Sequence, residues 1–201
     1  TPPVSDDACL DVALAAFAER GFEGASIREI ARAAGVSHGL LNLRFGSKLA
    51  LWMAAVDHGM MRLNRRMVAT TRAFPDAASV EERMLAACTD LLESLAEFPA
   101  IIQVVNIEGT QPGERLDYIV ETFFRGQDWP FTALLAEGQA QGVFRDVHVT
   151  VPFTLLVHGA GALVALRPLM EAVSPRTSRE PDGLARTIDA STSLIVRGLK
   201  R

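Results

Sequence analysis

Residues 22–52 have the sequence FEGASIREIARAAGVSHGLLNLRFGSKLALW. In it, Ser26-Ile27-Arg28-Glu29 matches a capping box, in which a hydroxyl and a carboxylate satisfy exposed backbone N–H groups at the start of a helix. We therefore predict a short helix that begins at Ser26 and ends at Gly35. Gly35 and Ser37 predict a tight turn, because glycine accepts a positive φ and serine caps the next helix, through about Arg44. Two short helices joined by such a turn indicate a helix-turn-helix.

The segments on either side of this stretch are also helical in pattern. Cys9, Ala13, Ala16 and Phe17 recur at the spacing of one helix face, which predicts a first helix from about Ser5 to Gly21. Gly46-Ser47-Lys48 marks the start of a long fourth helix that ends at about Ala73, before Pro75. The predicted front part of the chain is thus three short or medium helices and then one long helix.

The rest of the chain predicts a larger set of helices. Ser79-Val80-Glu81-Glu82 is a second capping box, and its helix should end near Phe98-Pro99. Helix breakers at 109–113, 126–130, 142 and 174–175 divide the remainder into further helices. Residues 143–151 are β-branched enough for a short extended connector, and the last helix should span about 182–199. We predict an all-α fold.

Charge is divided unevenly along the 201 residues. The net charge is −4, but residues 1–72 carry nine basic and seven acidic side chains, whereas residues 73–201 carry eleven and seventeen. Within residues 20–50 five basic side chains stand against two acidic ones. Such local asymmetry indicates where a polyanion would bind, although the whole chain is acidic.

Other protein classes lack support. Two cysteines without ligand spacing exclude a disulfide framework and a zinc site, so we predict no metal and a reducing, cytoplasmic location. The apolar run 149–166 is interrupted by polar residues and predicts a buried helix, not a membrane span. An enzyme is the first rival, but no hydrolase elbow, metalloprotease motif, P-loop or dinucleotide fingerprint is present, so we predict no catalytic residue and no cofactor. Because the chain begins at Thr1, we expect a short segment, such as a basic arm, before it.

Residues 5–60 carry a recognisable series of motifs: Ala16-Phe17, Gly21-Phe22, Ser26-Ile27-Arg28-Glu29-Ile30-Ala31, Ala34-Gly35-Val36-Ser37, Gly39, Phe45 and Lys48. In this the sequence resembles the TetR family of bacterial transcriptional regulators. The resemblance implies a helix-turn-helix DNA-binding head (1–46), a linking helix (47–73) and a helical effector-binding and dimerisation body (74–201). It also implies a homodimer on a palindromic double-stranded operator, and we predict a repressor released by a small, largely apolar effector.

Eight residues are our candidates for contact with DNA. A hydroxyl, a helix N-terminus or a cation can hold phosphate, whereas His and Asn can bind base edges and Arg either guanine or phosphate. Ser26 is also explained as a simple cap, His38 as a solvated side chain, and Leu40 as contacting either a thymine methyl or a neighbouring helix. Asn42 and Arg44 stand where the family usually has Tyr and His, which alters operator preference. The candidates are Ser26, Arg28, Ser37, His38, Gly39, Asn42, Arg44 and Lys48.

The body supplies candidates for the effector and for the second copy, and for each the alternative is ordinary core packing. The family's last two helices form a four-helix bundle across the dimer. The candidate dimer residues are Leu155, Gly159, Leu163, Leu166, Ile188 and Ile195. The candidate ligand residues are Phe98, Ile102, Asn106, Tyr118, Phe123, Phe124, Trp129, Phe131 and His158. A second rival function is a helical protein-interaction module that does not bind DNA.

Overall fold

The computed structural model describes residues 4–73, 78–125, 129–166, 169, 172–173 and 182–201. Over these residues the backbone is helical apart from turns and connectors, and the β-bridge found there joins Phe144 and Lys200. The all-α prediction is confirmed.

The first three helices are short and separated by tight turns: α1 (Asp6–Gly24), α2 (Ile27–Ala33) and α3 (His38–Phe45). The Ser5 hydroxyl accepts from the Ala8 N–H at the start of α1. Gly21 has φ 67°, which interrupts the regular geometry of α1 where the sequence predicted its end. Gly35 has φ 70° in the turn between α2 and α3, a conformation that favours glycine.

The remaining helices agree with the predicted breakers. Each begins or ends within a few residues of a Gly, Pro or capping serine. The breakers predicted at Pro75, Gly126 and Ser174-Pro175 lie outside the described residues. The helices are α4 (Lys48–Ala73), α5 (Val80–Glu97), α6 (Pro99–Glu108), α7 (Glu114–Ile119, continuing as a π-helical turn Val120–Phe124), α8 (Pro130–Ala140), α9 (Thr150–Thr154, π-helical Leu155–Ala160, then Gly161–Ala165) and α10 (Gly183–Leu199).

One compact unit consists of the described residues of Thr1–Arg62 and Ala100–Gly126. Its core contains Phe17, Ile30, Leu41 and Trp52, each at most 1% exposed. A Cβ on Gly59 of α4 would lie 2.8 Å from Leu14 and 3.2 Å from Ile101 side-chain atoms, so α4 packs closely on α1 and α6. The buried thiol of Cys9 is part of the same core.

The second unit consists of the described residues of Leu63–Pro99 and Gln127–Arg201. Helix α5 is its centre, and α8, α9 and α10 pack on it. The predicted second capping box is present: the Ser79 hydroxyl and N–H donate to the Glu82 carboxylate, which lowers the pKa of that carboxyl. Cys88 is fully buried on α5. These units are packing units, and the functional boundaries at residues 46 and 73 stay a prediction.

Two local predictions differ from the structure. The capping box at Ser26 does not form, because the Ser26 hydroxyl makes no cap hydrogen bond and Glu29 pairs with Arg20 instead. The ion pair with Arg20 of α1 thus uses the Glu29 carboxylate that the capping box requires, although α2 still begins at the predicted place. The connector predicted over 143–151 is shorter than expected, because α9 begins at Thr150.

Candidate nucleic-acid interface

Helix α3 presents one face to the core and the opposite face to solvent. Leu41 is 1% exposed and holds the helix on the first unit. The Ser37 hydroxyl accepts from the Leu40 N–H at 3.1 Å, so it caps α3 as predicted. The solvent face carries His38, Gly39 and Asn42, all exposed. A two-turn helix fixed in this way can enter the major groove of DNA.

Two arginines on α2 are available to an anion. Arg28 and Arg32 are exposed and lie one helical turn apart, and neither side chain forms a hydrogen bond or ion pair with the described residues. The other four cations of residues 4–62 all have partners within the chain. Arg32 was not among our sequence candidates. Its spacing of four from Arg28 on an otherwise polar face was the signal that could have found it.

The structure gives Arg44 an internal role. Its Nη1 donates to the Val4 carbonyl at 2.9 Å and lies 3.2 Å from the Asp6 carboxylate, and the side chain is 22% exposed. The Cys9 Sγ is 3.6 Å from the same nitrogen. Arg44 therefore fastens the beginning of α1 to the end of α3. The DNA contact predicted for it would require these bonds to be given up.

Lys48 also has a partner within the chain. Its Nζ donates to the Glu23 carbonyl at 3.1 Å and lies 4.8 Å from the centroid of the Phe22 ring. A cation is favourable there, because the carbonyls at the end of a helix carry partial negative charge. We predicted that a lysine at the start of α4 binds an external anion. The structure instead gives it a partner within the chain, the carbonyl of Glu23 at the end of α1.

Helix α7 is joined to the same unit through aromatic contacts. The rings of Phe22, Trp52, Tyr118 and Phe123 succeed one another at centroid distances of 6.5, 6.1 and 6.3 Å. The Tyr118 hydroxyl donates to the Asp57 carboxylate at 2.7 Å. Burial, together with the hydrogen bond and charge of Asp57, raises the pKa of Tyr118 to about 12. This series of rings connects α7 with α4 and the end of α1.

The helix-turn-helix of this chain is similar to that of a known protein family. Residues 10–55 match the family model described as bacterial regulatory proteins, tetR family. The match spans α1, α2, α3 and the start of α4, and so includes the whole helix-turn-helix.

Residues 10–55 therefore form a helix-turn-helix domain of the kind found in the tetR family of bacterial regulatory proteins.

Solved structures extend the likeness over nearly the whole length of the chain. The fatty acid degradation regulator FadR from Bacillus halodurans has 20% identity and a TM-score of 0.71, covering 98% of this chain and 100% of its own. A TetR-family transcriptional regulator from Haemophilus influenzae has 16% identity and a TM-score of 0.68, covering 97% and 96%. A TetR-like transcriptional regulator from Rhodococcus sp. RHA1 has 21% identity and a TM-score of 0.67, covering 98% and 97%. At these identities the likeness establishes the fold.

No curated protein matches the sequence of this chain significantly. Among the residues that the structure describes, no helix is both long and apolar enough to cross a membrane.

The nine candidate ligand residues are divided between the two units. Ile102 and Phe131 are core residues, 4% and 5% exposed, whereas Asn106 and His158 are exposed. The alternative that His158 is a core histidine is therefore wrong. In the first unit lie Ile102, Asn106, Tyr118, Phe123 and Phe124, and in the second Phe98, Trp129, Phe131 and His158.

An apolar groove of about 480 Å³ lies between α9 and α10. Three of the predicted dimer residues, Leu155, Leu163 and Ile195, line it, and Gly159 and Leu166 are exposed. Ile188 is different, because it is 3% exposed and its side chain is used in the core of its own protomer. The sequence marks Ile188 as an apolar residue of the last helix, but it does not show whether the side chain faces the core of its own protomer or a second copy.

Proposed function

We propose that this regulator is a repressor that binds a palindromic operator as a homodimer and is released by a small, largely apolar effector. The observation that carries the proposal is an exposed face on α3 together with two exposed cations on α2, Arg28 and Arg32, whose side chains pair with none of the described residues. Although the whole chain is acidic, two exposed cations on a helix-turn-helix are suited to bind a polyanion such as DNA.

The proposed contacts divide into positioning and base recognition. Arg28 and Arg32, with the hydroxyl of Ser26, are assigned to phosphates, which fix the register of the head on the duplex. His38 and Asn42 are assigned to base edges in the major groove, where Asn can pair with adenine. Arg44 and Lys48 support the head from within and act on DNA through the position of α3.

A second copy of this chain is the proposed occupant of the groove between α9 and α10. Val151, Leu155 and Leu194 are 57%, 58% and 74% exposed there, which is unfavourable for a free protomer. A palindrome requires two heads with recognition helices roughly 34–36 Å apart, and a two-fold interface supplies that symmetry. Sedimentation of the chain at micromolar concentration tests the dimer.

The proposed effector acts by favouring one arrangement of the protein over another, in proportion to its difference in affinity for the two. The route suggested by the contacts is α7, whose Arg115 and Tyr118 contact the end of α1 and α4. An apolar effector agrees with the Bacillus halodurans regulator of fatty acid degradation, which has the same fold. We place this activity in the cytoplasm, with the DNA that the protein binds.

The decisive experiment is selection of binding sites from a random duplex pool, and then titration at several salt concentrations. We expect a palindromic consensus and an affinity that falls steeply with salt, because phosphate contacts release counterions. Each of Arg28→Ala and Arg32→Ala removes two phosphate contacts from the dimer and should reduce the slope of log affinity against log salt by about 1.8. Arg197→Ala, an exposed charge on α10, is the matched control.

A protein-interaction module without DNA binding is the second candidate. It is favoured by the internal use of Arg44 and Lys48, which removes two of the cations expected to hold phosphate. Binding to duplex that is absent at low salt, or that does not depend on salt, would support this function and overturn the proposed one. Effector titrations that never alter operator affinity would remove the sensor part alone.

A further inference from the structure

The most exposed large apolar side chain described on the helix-turn-helix lies on α3. Leu43 is 83% exposed, and Leu40, on the same solvent side, is 36% exposed. Both lie away from Leu41, which faces the core. At this exposure the side chain of Leu43 contributes little to packing within the protomer, so it is free to contact a bound partner.

Gly39 lies one helical turn before Leu43, and none of the described residues requires a glycine there. Its φ is not positive, and a Cβ built on it would meet no atom within 4 Å. Glycine is a poorer helix former than alanine. The feature it provides is a smooth backbone surface beside Leu43, which allows a close approach from outside.

The solvent face of α3 offers little charge with which to bind bases. Arg44, the cation on the helix, is turned toward Val4 and Asp6. His38 and Asn42 supply the polar groups. Between them the face is apolar, and in the major groove the apolar group that a base pair presents is the C5 methyl of thymine.

We propose that Leu43, together with Leu40, contacts the C5 methyl groups of thymines in each operator half-site, and that Gly39 lets the helix approach closely enough for this contact. The inference rests on the proposed function and specifies its base recognition. The DNA occupant is favoured over an apolar protein surface because the two leucines share the exposed side of α3 with the polar side chains of His38 and Asn42, and α2 of the same helix-turn-helix carries the exposed cation Arg28.

The test removes single methyl groups from the DNA. Once an operator has been selected, each thymine is replaced in turn by deoxyuridine, which keeps the base pair and the O4 acceptor and lacks the methyl. At one or two positions in each half-site we expect affinity to fall roughly three- to fivefold, as for burial of one methyl group. In Leu43→Ala, or Leu40→Ala for its own thymine, the same replacement should change nothing.

Two controls make the result specific. Met61→Ala removes another exposed apolar side chain of the same unit, 55% exposed on α4, and should keep the response to deoxyuridine. Denaturant unfolding of Leu43→Ala checks that the variant folds, which its exposure leads us to expect. Equal affinity for thymine and uracil at every position, with operator binding intact, overturns this inference and leaves the proposed function standing. Failure to bind any duplex overturns both.

Discussion

The guanidinium carbon of Arg115 lies 4.3 Å from the centroid of the Phe22 ring. The same side chain donates from Nε to the Glu108 carboxylate at 2.9 Å, and Glu108 is 8% exposed. Arg115 therefore joins α6 and α7 to the end of α1 within one unit.

Removal of Arg115 should destabilise the protein. In Arg115→Ala the Glu108 carboxylate would remain buried without its charged partner, and we expect the free energy of unfolding to fall by about 1–3 kcal/mol. Denaturant unfolding measures this. The control is Arg125→Ala, which breaks an exposed pair with Glu121 and should cost less than about 1 kcal/mol. Equal losses in the two variants would show that Arg115 is not a structural link.

Titration of the tyrosine should report on the same region. The chain has one tyrosine, so tyrosinate absorbance monitors Tyr118 alone. We expect a midpoint near pH 12 in the folded protein, against an ordinary value near 10. Because the pKa is raised in the folded state, the associated stability is present below pH 10 and decreases as pH rises from 10 toward 12.

Two variants check this assignment. Asp57→Asn removes the negative charge beside the hydroxyl and should bring the pKa of Tyr118 down, while burial continues to raise it. Tyr118→Phe should remove the part of the alkaline stability loss that is due to this group. A Tyr118 midpoint close to the ordinary tyrosine value in the wild-type protein would contradict the buried hydrogen bond to Asp57.

Replacement of Gly39 should separate stability from DNA binding. Gly39→Ala should raise the free energy of unfolding by roughly 0.5–1 kcal/mol, since the new Cβ meets no neighbour and alanine favours the helix. Operator affinity should fall, because the added methyl keeps α3 from the base edges. If the variant is more stable and binds DNA as well as the wild type, close approach at this position is not needed.

Ile188 and Leu194 on α10 should respond in opposite ways. Ile188→Ala empties a buried site and should cost about 2–5 kcal/mol of stability. Leu194→Ala, at a side chain 74% exposed, should leave protomer packing intact and weaken the dimer. Denaturant unfolding and sedimentation equilibrium distinguish the two effects. A dimer unaffected by Leu194→Ala would require an interface elsewhere.

Local sequence signals predicted most of the fold. Caps at Ser5, Ser37 and Ser79 and glycines at 21 and 35 act over a few residues, so the sequence alone indicates where helices begin and end. The family motifs are concentrated in the same region, and they identified the helix-turn-helix correctly. The failure at Ser26 has a physical reason: its partner Glu29 is taken by Arg20, a residue on another helix.

The candidate site was less predictable because its side chains choose partners through tertiary contacts. Arg44 and Lys48 are cations in the expected places, yet the carbonyls of Val4 and Glu23, 40 and 25 residues away in sequence, bind them internally. No spacing rule shows this. Arg32 and Leu43 show the opposite case, because their side chains are exposed and can bind a partner. The sequence does not show which face of each helix is left uncovered.

The burial of both thiols has a practical consequence for studying this protein in solution. Cys9 and Cys88 are inaccessible, and burial raises the pKa of Cys88 to about 12, so the folded chain should resist thiol-directed reagents. A cysteine introduced on the outer surface of α2 would then take a spin label or fluorophore without prior removal of the native ones. In the proposed dimer, two such probes would measure the separation of the heads directly, with and without added small molecules.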